Sequence, residues 1–271
     1  MKLTRISPSQ IGMLGKCGEQ YRRRYVEGEI LAPGIAQIRG RSTHATNEKN
    51  LIHKLETGVL LPLDEVRQLA AESVDAALAG EFVLDGDYEE VGLTAARGMV
   101  KDEVISLSTL HATQLAPLAE PEAIELKVEV PPSDVLPVTL VGVIDLIDRA
   151  RGVRDTKTAQ KSPNADAAHN SDQLTTYDLL HRAHKKSPPA GLGLDHLIRT
   201  PKKGELRVVS QETSRTIEDL GVFVRRANAA VRSIESEVFL PAPQDHWACS
   251  LKWCGFASTC PYFRGRPRPT T

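Results

Sequence analysis

The four cysteines stand at the two extremities of the chain, Cys17 near its start and Cys249, Cys254 and Cys260 near its end, with none between them. A structure that uses them as one set must bring the first and last segments of 271 residues together. The N-terminus, Met1-Lys2-Leu3-Thr4-Arg5, lacks the apolar run of a secretory signal, so a cytoplasmic protein is expected. In that reducing compartment four cysteines read as a metal site rather than as disulfides. Four thiolates suit a structural zinc ion or a [4Fe–4S] cluster, and the C-x4-C-x5-C spacing is looser than the C-x2-C pairs of zinc ribbons. Either would act as a staple, closing a long loop whose closure entropy is otherwise unfavourable.

Between these ends the patterning changes once. Ser7-Pro8-Ser9-Gln10 carries the signature of a capping box with proline at the first helical position, and Ile11, Leu14, Tyr21 and Tyr25 follow at helical spacing, with Cys17 inside the predicted helix. Further helices are predicted over residues 40–57, containing His44, from an Asp64 cap to residue 79, and over 88–115. From Glu122 onward residues 123–130 alternate apolar and polar with period two, as a half-buried strand does; Glu125 is a further acidic candidate, although its strand precedes the hairpin and alternation alone would put it on a solvent face. The apolar run 138–147, a turn at 149–152 and a short strand at 153–158 predict a hairpin registered around Arg151. A helix over 171–186 capped by Ser171 or Asn170, strands at 194–198 and 206–209, a helix over 217–234 and an irregular tail complete the pattern. This order predicts an α/β or α+β fold in one domain, 1–271: a mainly helical portion (1–118), a sheet core (119–210), and a C-terminal helix and tail (211–271).

With 41% hydrophobic and 25% charged residues, and no apolar stretch of about 18, the chain is not expected in a membrane. The net charge of −1 hides an asymmetry: residues 51–130 carry 16 acidic and 5 basic side chains, and the rest is basic. Arg22, Arg23, Arg24, Arg149, Arg151, Arg154, Lys157, Lys161, Lys185, Lys186, Lys202 and Lys203 would pair with phosphates if the fold gathers them on one side. Aromatic residues are only 4%, which favours contacts to a nucleic-acid backbone over extensive base stacking.

Asp145 interrupts the apolar segment Val141-Gly142-Val143-Ile144-Asp145-Leu146-Ile147, where an unpaired charge is costly unless a cation or metal meets it. Across the predicted turn, Asp155 and Lys157 flank Thr156 and share one face of their strand. The hairpin brings Asp145 to that pair, gathering two carboxylates and one ammonium. Such a pocket suits metal-assisted phosphodiester hydrolysis: carboxylates hold Mg²⁺ or Mn²⁺, and the lysine orients water and screens developing negative charge. A plain salt bridge at a sheet edge would read the same way, so the surrounding motifs carry the case.

On these residues the sequence resembles the RecB-like nucleases of the PD-(D/E)XK superfamily, among them the RecB and AddB nuclease domains and the CRISPR-associated iron-sulfur exonucleases. That family's G-x-(I/V)-D strand is matched by Gly142-Val143-Ile144-Asp145 and its D-x-K-T strand by Asp155-Thr156-Lys157-Thr158. Its G-x-x-x-H helix is matched by Gly40 to His44, and its Q-x-x-x-Y helix by Gln173 to Tyr177, whose i,i+4 spacing puts both side chains on one face. The resemblance covers nearly the whole chain and implies a restriction-endonuclease-like core with a central mixed sheet. It implies that His44, with Asp145, Asp155 and the Thr156 carbonyl, binds Mg²⁺ or Mn²⁺, and that Gln173 and Tyr177 contact DNA or brace the pocket. It also implies a 4Fe-4S cluster on Cys17, Cys249, Cys254 and Cys260 that joins the termini. Two departures stand out: Gly18 where the family often has proline, and a longer first spacing in the C-terminal trio.

The expected activity is metal-dependent DNA cleavage, as a single-stranded exonuclease acting at ends, in the recombination, phage or CRISPR-type processing typical of that family. The sequence has no P-loop, so unwinding would need another chain, and a helicase, recombination or CRISPR partner is left open. Two rivals are a catalytically idle DNA-binding subunit of the same fold and a zinc-stapled RNA-processing or restriction-type endonuclease.

Overall fold

The computed structural model describes residues 2–84, 88–200 and 204–265; Lys202 and Lys203 lie outside the described residues. In chain order the elements are β1 (Arg5–Ile6), α1 (Pro8–Lys16), α2 (Gly18–Tyr21), α3 (Ile35–Thr57), α4 (Leu63–Leu78), α5 (Leu93–Gln114), β2 (Pro121–Val130), β3 (Thr139–Asp148), β4 (Gly152–Ala159), α6 (Asp172–Lys185), β5 (Leu192–Arg199), β6 (Leu206–Thr213) and α7 (Ile217–Glu235). They form a mixed α/β architecture divided into two compact units, Met1–Leu31 with Pro131–Val141 and Gly221–Thr271, and Ala32–Val130 with Gly142–Leu220.

The first unit unites the two ends of the chain. Ser7 caps α1 through the reciprocal box read from sequence, its Oγ accepting from the Gln10 N–H at 3.3 Å while Gln10 Oε1 accepts from the Ser7 N–H at 2.9 Å. The expected continuous helix breaks at Cys17, whose extended backbone (φ −162°, ψ 113°) separates α1 from α2. The next residue explains the break: the Gly18 N–H donates to Leu240 O at 2.7 Å, and a Cβ on Gly18 would lie 2.5 Å from the Phe239 carbonyl carbon. Proline, frequent here in the resembling family, has no N–H to donate. Nearby Tyr21 stacks on Phe239 with ring centroids 5.9 Å apart, and β1 pairs in parallel with Thr139 and Leu140.

In the second unit β3 and β4 form an antiparallel hairpin, β4 pairs in parallel with β5, β6 pairs antiparallel with β5, and β2 pairs with β3. The hairpin pairs Leu146 with Arg154 and Asp148 with Gly152, so it centres on Ala150, one residue earlier than expected. Residues 192–198 of β5 are all buried, as an interior strand covered on both faces requires. The parallel β4–β5 step needs a crossover, and α6 supplies it, capped as expected by the Ser171 Oγ, which accepts from the Leu174 N–H at 3.2 Å. Gly142 lets α6 close on β3, since a Cβ there would lie 2.6 Å from Leu180 Cδ1.

Helices α3, α4 and α5 share a core of Ile35, Ile38, Val74, Leu78, Val100 and Val104. The use of Ile35 and Ile38 in that core carries α3 five residues further upstream than expected, to Ile35. Asp64 lies in the first turn of α4 rather than at its cap, which is Pro62, and α5 begins at Leu93 rather than Tyr88. A buried charge network ties these helices to β5: Glu103 accepts from Arg39 at 3.2 Å, from the Tyr88 hydroxyl at 2.7 Å and from Arg199 at 3.1 Å.

Much of the expected phosphate-binding set is engaged internally. Arg22 pairs with Glu19 and Glu27, Arg23 with Glu29, Arg151 with Asp148 and Lys185 with Glu122. Arg154 is fully buried, held by Asp195 at 2.6 and 3.0 Å and by Glu212.

Candidate active site

The hairpin and α6 build one continuous hydrogen-bonded chain. Lys157 Nζ lies 2.9 Å from the Asp155 carboxylate and donates to Gln173 Oε1 at 2.8 Å. Gln173 Nε2 donates to the Tyr177 hydroxyl at 2.7 Å, and that hydroxyl donates to Asp145 Oδ1 at 2.9 Å. The other oxygen of Asp145 meets His44 Nε2 at 2.7 Å. Two periodicities produce this convergence. Strand alternation puts Asp155 beside Lys157, and helical i,i+4 spacing puts Gln173 beside Tyr177.

The far side of His44 reveals a member that alternation had placed on the solvent face. Glu125 has a backbone φ of +48°, which costs a residue with a Cβ about 1–2 kcal/mol and turns its side chain out of the period-two pattern of β2. Its Oε1 lies 3.4 Å from His44 Nδ1. One ligand atom each from His44, Glu125 and Asp145 fall within 4.8 Å of one another. Among the buried polar atoms without a hydrogen bond are Glu125 Oε1 and Asp155 Oδ2. Carboxylate oxygens gathered beside an imidazole, with two of them outside any well-formed hydrogen bond, fit a hard divalent cation.

In the metal-free protein, crowding of these groups shifts their protonation. The hydrogen bond to Asp145 raises the His44 pKa to about 8. Burial works against the charge on Asp145, yet the bond and charge of His44, the contact with Asp155 and the Lys157 ammonium hold its pKa below the ordinary carboxylate value. Burial, reinforced by the Asp145 charge, pushes Asp155 up to about 7. Burial, again with Asp145, also raises Glu125, while burial and the adjacent carboxylates hold the Tyr177 phenol protonated. The two aspartates therefore titrate as a split pair, one ionised readily and one reluctantly.

A cleft runs beside this group, bounded by Gln37, Arg41, Asn47, Thr156, Lys157 and Thr158. Asn47 is only 5% exposed, and neither amide atom has a hydrogen-bond partner. Arg41 is exposed and in no ion pair among the described residues.

Comparison with known proteins decides the family. The sequence model of the PD-(D/E)XK nuclease superfamily matches residues 5–261. The chain belongs to that superfamily. Its fold is similar to a solved structure from Eubacterium rectale described as a candidate exonuclease, at 11% identity and a TM-score of 0.53, with 98% of this chain and 90% of that one covered. The solved structure of SSO0001 is similar at 18% identity and a TM-score of 0.45, covering 97% and 89%. No curated protein matches.

Within this PD-(D/E)XK chain, sequence reasoning named His44, Asp145, Asp155, Lys157, Gln173 and Tyr177, and the fold brings all six together; Thr156 lines the adjoining cleft. Glu125, a candidate that alternation alone puts on the solvent face, lies beside His44 instead, because nothing in the local pattern encodes a positive φ at a glutamate. The one readable signal was chemical, an acid in a strand neighbouring the one that carries Asp145.

In the first unit, Cys17, Cys249, Cys254 and Cys260 all line a single small cavity with Pro241 and Phe256, and none forms a disulfide. The Ala242 N–H points at Cys17 Sγ at 3.3 Å. Burial, together with the neighbouring Cys17, Cys260 and Cys254, raises the Cys249 thiol pKa. Arg23 fastens the tail around this cavity, lying over the Phe256 ring at 4.7 Å and donating to Thr259 Oγ1 at 2.8 Å. No helix among the described residues is long and apolar enough to cross a membrane.

Proposed function

We propose that this member of the nuclease superfamily is a Mg²⁺- or Mn²⁺-dependent DNA nuclease that degrades single strands from their ends. The observation that carries the reading is the convergence of His44, Glu125 and Asp145 on one point, with Asp155 and Lys157 beside it. His44, Glu125, Asp145, Asp155 and the Thr156 carbonyl would hold the cation. Bound there, it would polarise a phosphoryl oxygen and acidify water. Lys157, fixed between Asp155 and Gln173, holds a positive charge where a water and the scissile phosphate would meet, so it orients the one and screens negative charge growing on the other. Gln173 and Tyr177 keep Lys157 and Asp145 in register, and Arg41 offers an unpaired guanidinium for a neighbouring phosphate.

We further propose that the four cysteines hold a 4Fe-4S cluster. They come from both ends of the chain and face one cavity. The C-x4-C-x5-C spacing of the C-terminal trio, looser than the C-x2-C pairs of zinc ribbons, supports a cluster over zinc.

End-labelled linear and circular single-stranded DNA, incubated with and without Mg²⁺ or Mn²⁺, tests the activity. Metal-dependent shortening of linear strands with circles left whole is expected, and it should vanish in Asp155→Ala and Lys157→Ala proteins that keep the native circular dichroism. Cut circles would instead establish an endonuclease, and binding without cutting an idle subunit. Anaerobically purified protein should be brown and contain iron; a colourless preparation with stoichiometric zinc would reject the cluster.

A further inference from the structure

We infer that the surface around Trp247 and Trp253 is a binding platform for single-stranded nucleic acid, separate in sequence from the residues that carry the cleavage chemistry. The inference rests on the reading of the chain as a nuclease acting on DNA strands. Trp247 and Trp253 are the only tryptophans of the protein, and both are left in water, 61% and 60% exposed. Indoles bury more area than almost any other side chain, so a fold that exposes both gives up a large stabilisation at one place. The two rings meet edge to face with centroids 6.0 Å apart, and the His246 ring lies 5.6 Å from Trp247.

One lysine stands beside each ring. Lys16 of α1 sits 5.5 Å over Trp247 and Lys252 sits 5.2 Å over Trp253. Neither lysine is in an ion pair among the described residues, and the sequence of residues 238–265 contains two basic side chains, Lys252 and Arg264, and one acid, Asp245. The backbone holds the rings in place: Trp253 N–H and Cys254 N–H both donate to Ser250 O, at 3.2 and 2.9 Å, and Ser250 Oγ donates to Trp247 O at 3.2 Å. Flat apolar faces rimmed by unpaired ammonium groups match a strand whose bases are unstacked and whose phosphates run alongside. A duplex hides its base faces and offers the indoles nothing to stack on. Low aromatic content argues against base stacking spread over the whole chain, yet both tryptophans stand together in water, where stacking is feasible.

The test uses the full-length protein in EDTA, where no metal-dependent cutting occurs, and a labelled oligothymidylate as probe. Since both tryptophans lie in the patch, fluorescence excited at the red edge of the indole band, beyond tyrosine absorption, reports on it. Oligothymidylate should quench that fluorescence at saturation, and a duplex of equal length should not. Trp247→Ala and Trp253→Ala should each weaken binding about 10-fold by anisotropy, and Lys16→Ala and Lys252→Ala should each lower the salt slope by about 0.7. Unchanged fluorescence at saturating oligothymidylate, undiminished affinity in the doubly substituted protein, or quenching by polyglutamate alone would overturn the proposal, the last pointing to an acidic protein partner. Quenching in a protein that never cuts DNA would sink the nuclease reading and leave the platform standing; cutting without quenching would do the reverse.

Discussion

Metal binding at the His44–Glu125–Asp145–Asp155 group should be steeply pH-dependent, with a slope that follows from the pocket. In the metal-free protein His44 keeps its proton up to about pH 8 and Asp155 keeps its own up to about pH 7, so a cation must displace both at low pH. Apparent affinity should then rise about 100-fold per pH unit below 7, about 10-fold between 7 and 8, and level off above. From pH 6 to 9 this amounts to ~10³-fold, with the share of His44, whose side chain is 35% exposed, reduced by solvent screening. The sign is opposite for folding without metal. Both folded pKa values lie above the unfolded ones, so the stability these groups lend is present at low pH and is lost as pH rises through about 7 for Asp155 and about 8 for His44. Isothermal titration of Mn²⁺ in buffers of differing ionisation heat measures both affinity and protons released. Two protons released near pH 6 and none near pH 9 are expected; affinity that is flat across this range would refute the assignment of these groups as ligands.

Other outcomes follow from single contacts. Tyr177→Phe removes the hydroxyl that donates to Asp145 and accepts from Gln173, and should slow cleavage about 10- to 100-fold with little change in melting temperature, as steady-state kinetics and a thermal scan would show. Glu103→Ala leaves Arg39 buried without its carboxylate and should cost about 3–5 kcal/mol in a urea titration, whereas a loss under 1 kcal/mol would mean that the network is slack. Gly18→Pro restores the residue frequent in the resembling family but forfeits the bond to Leu240 and crowds Phe239, so lower stability and lower iron content are expected; unchanged values would contradict the close approach.

The legible parts of the site obey short-range rules. Strand alternation aligned Asp155 with Lys157, helical spacing aligned Gln173 with Tyr177, and an apolar strand broken by Asp145 announced a buried charge in need of a partner. The capping box at Ser7 was equally local. What escaped depends on contacts between residues far apart in sequence or on rare backbone conformations. Glu125 enters the pocket through a positive φ that its neighbours do not signal. Arg154 looked like a surface base, but its partners Asp195 and Glu212 come from β5 and β6. The break at Cys17 depends on the approach of residues 239–240 from the other end of the chain.

The central claim is that the pocket gathers a divalent cation, and anomalous diffraction from crystals soaked in Mn²⁺ tests it most directly. A peak about 2.1 Å from oxygens of Asp145 and Asp155, with His44 and Glu125 turned toward it, is the predicted result. A well-ordered pocket without that peak at a Mn²⁺ concentration that supports cleavage, or a peak held by other side chains, would contradict the account.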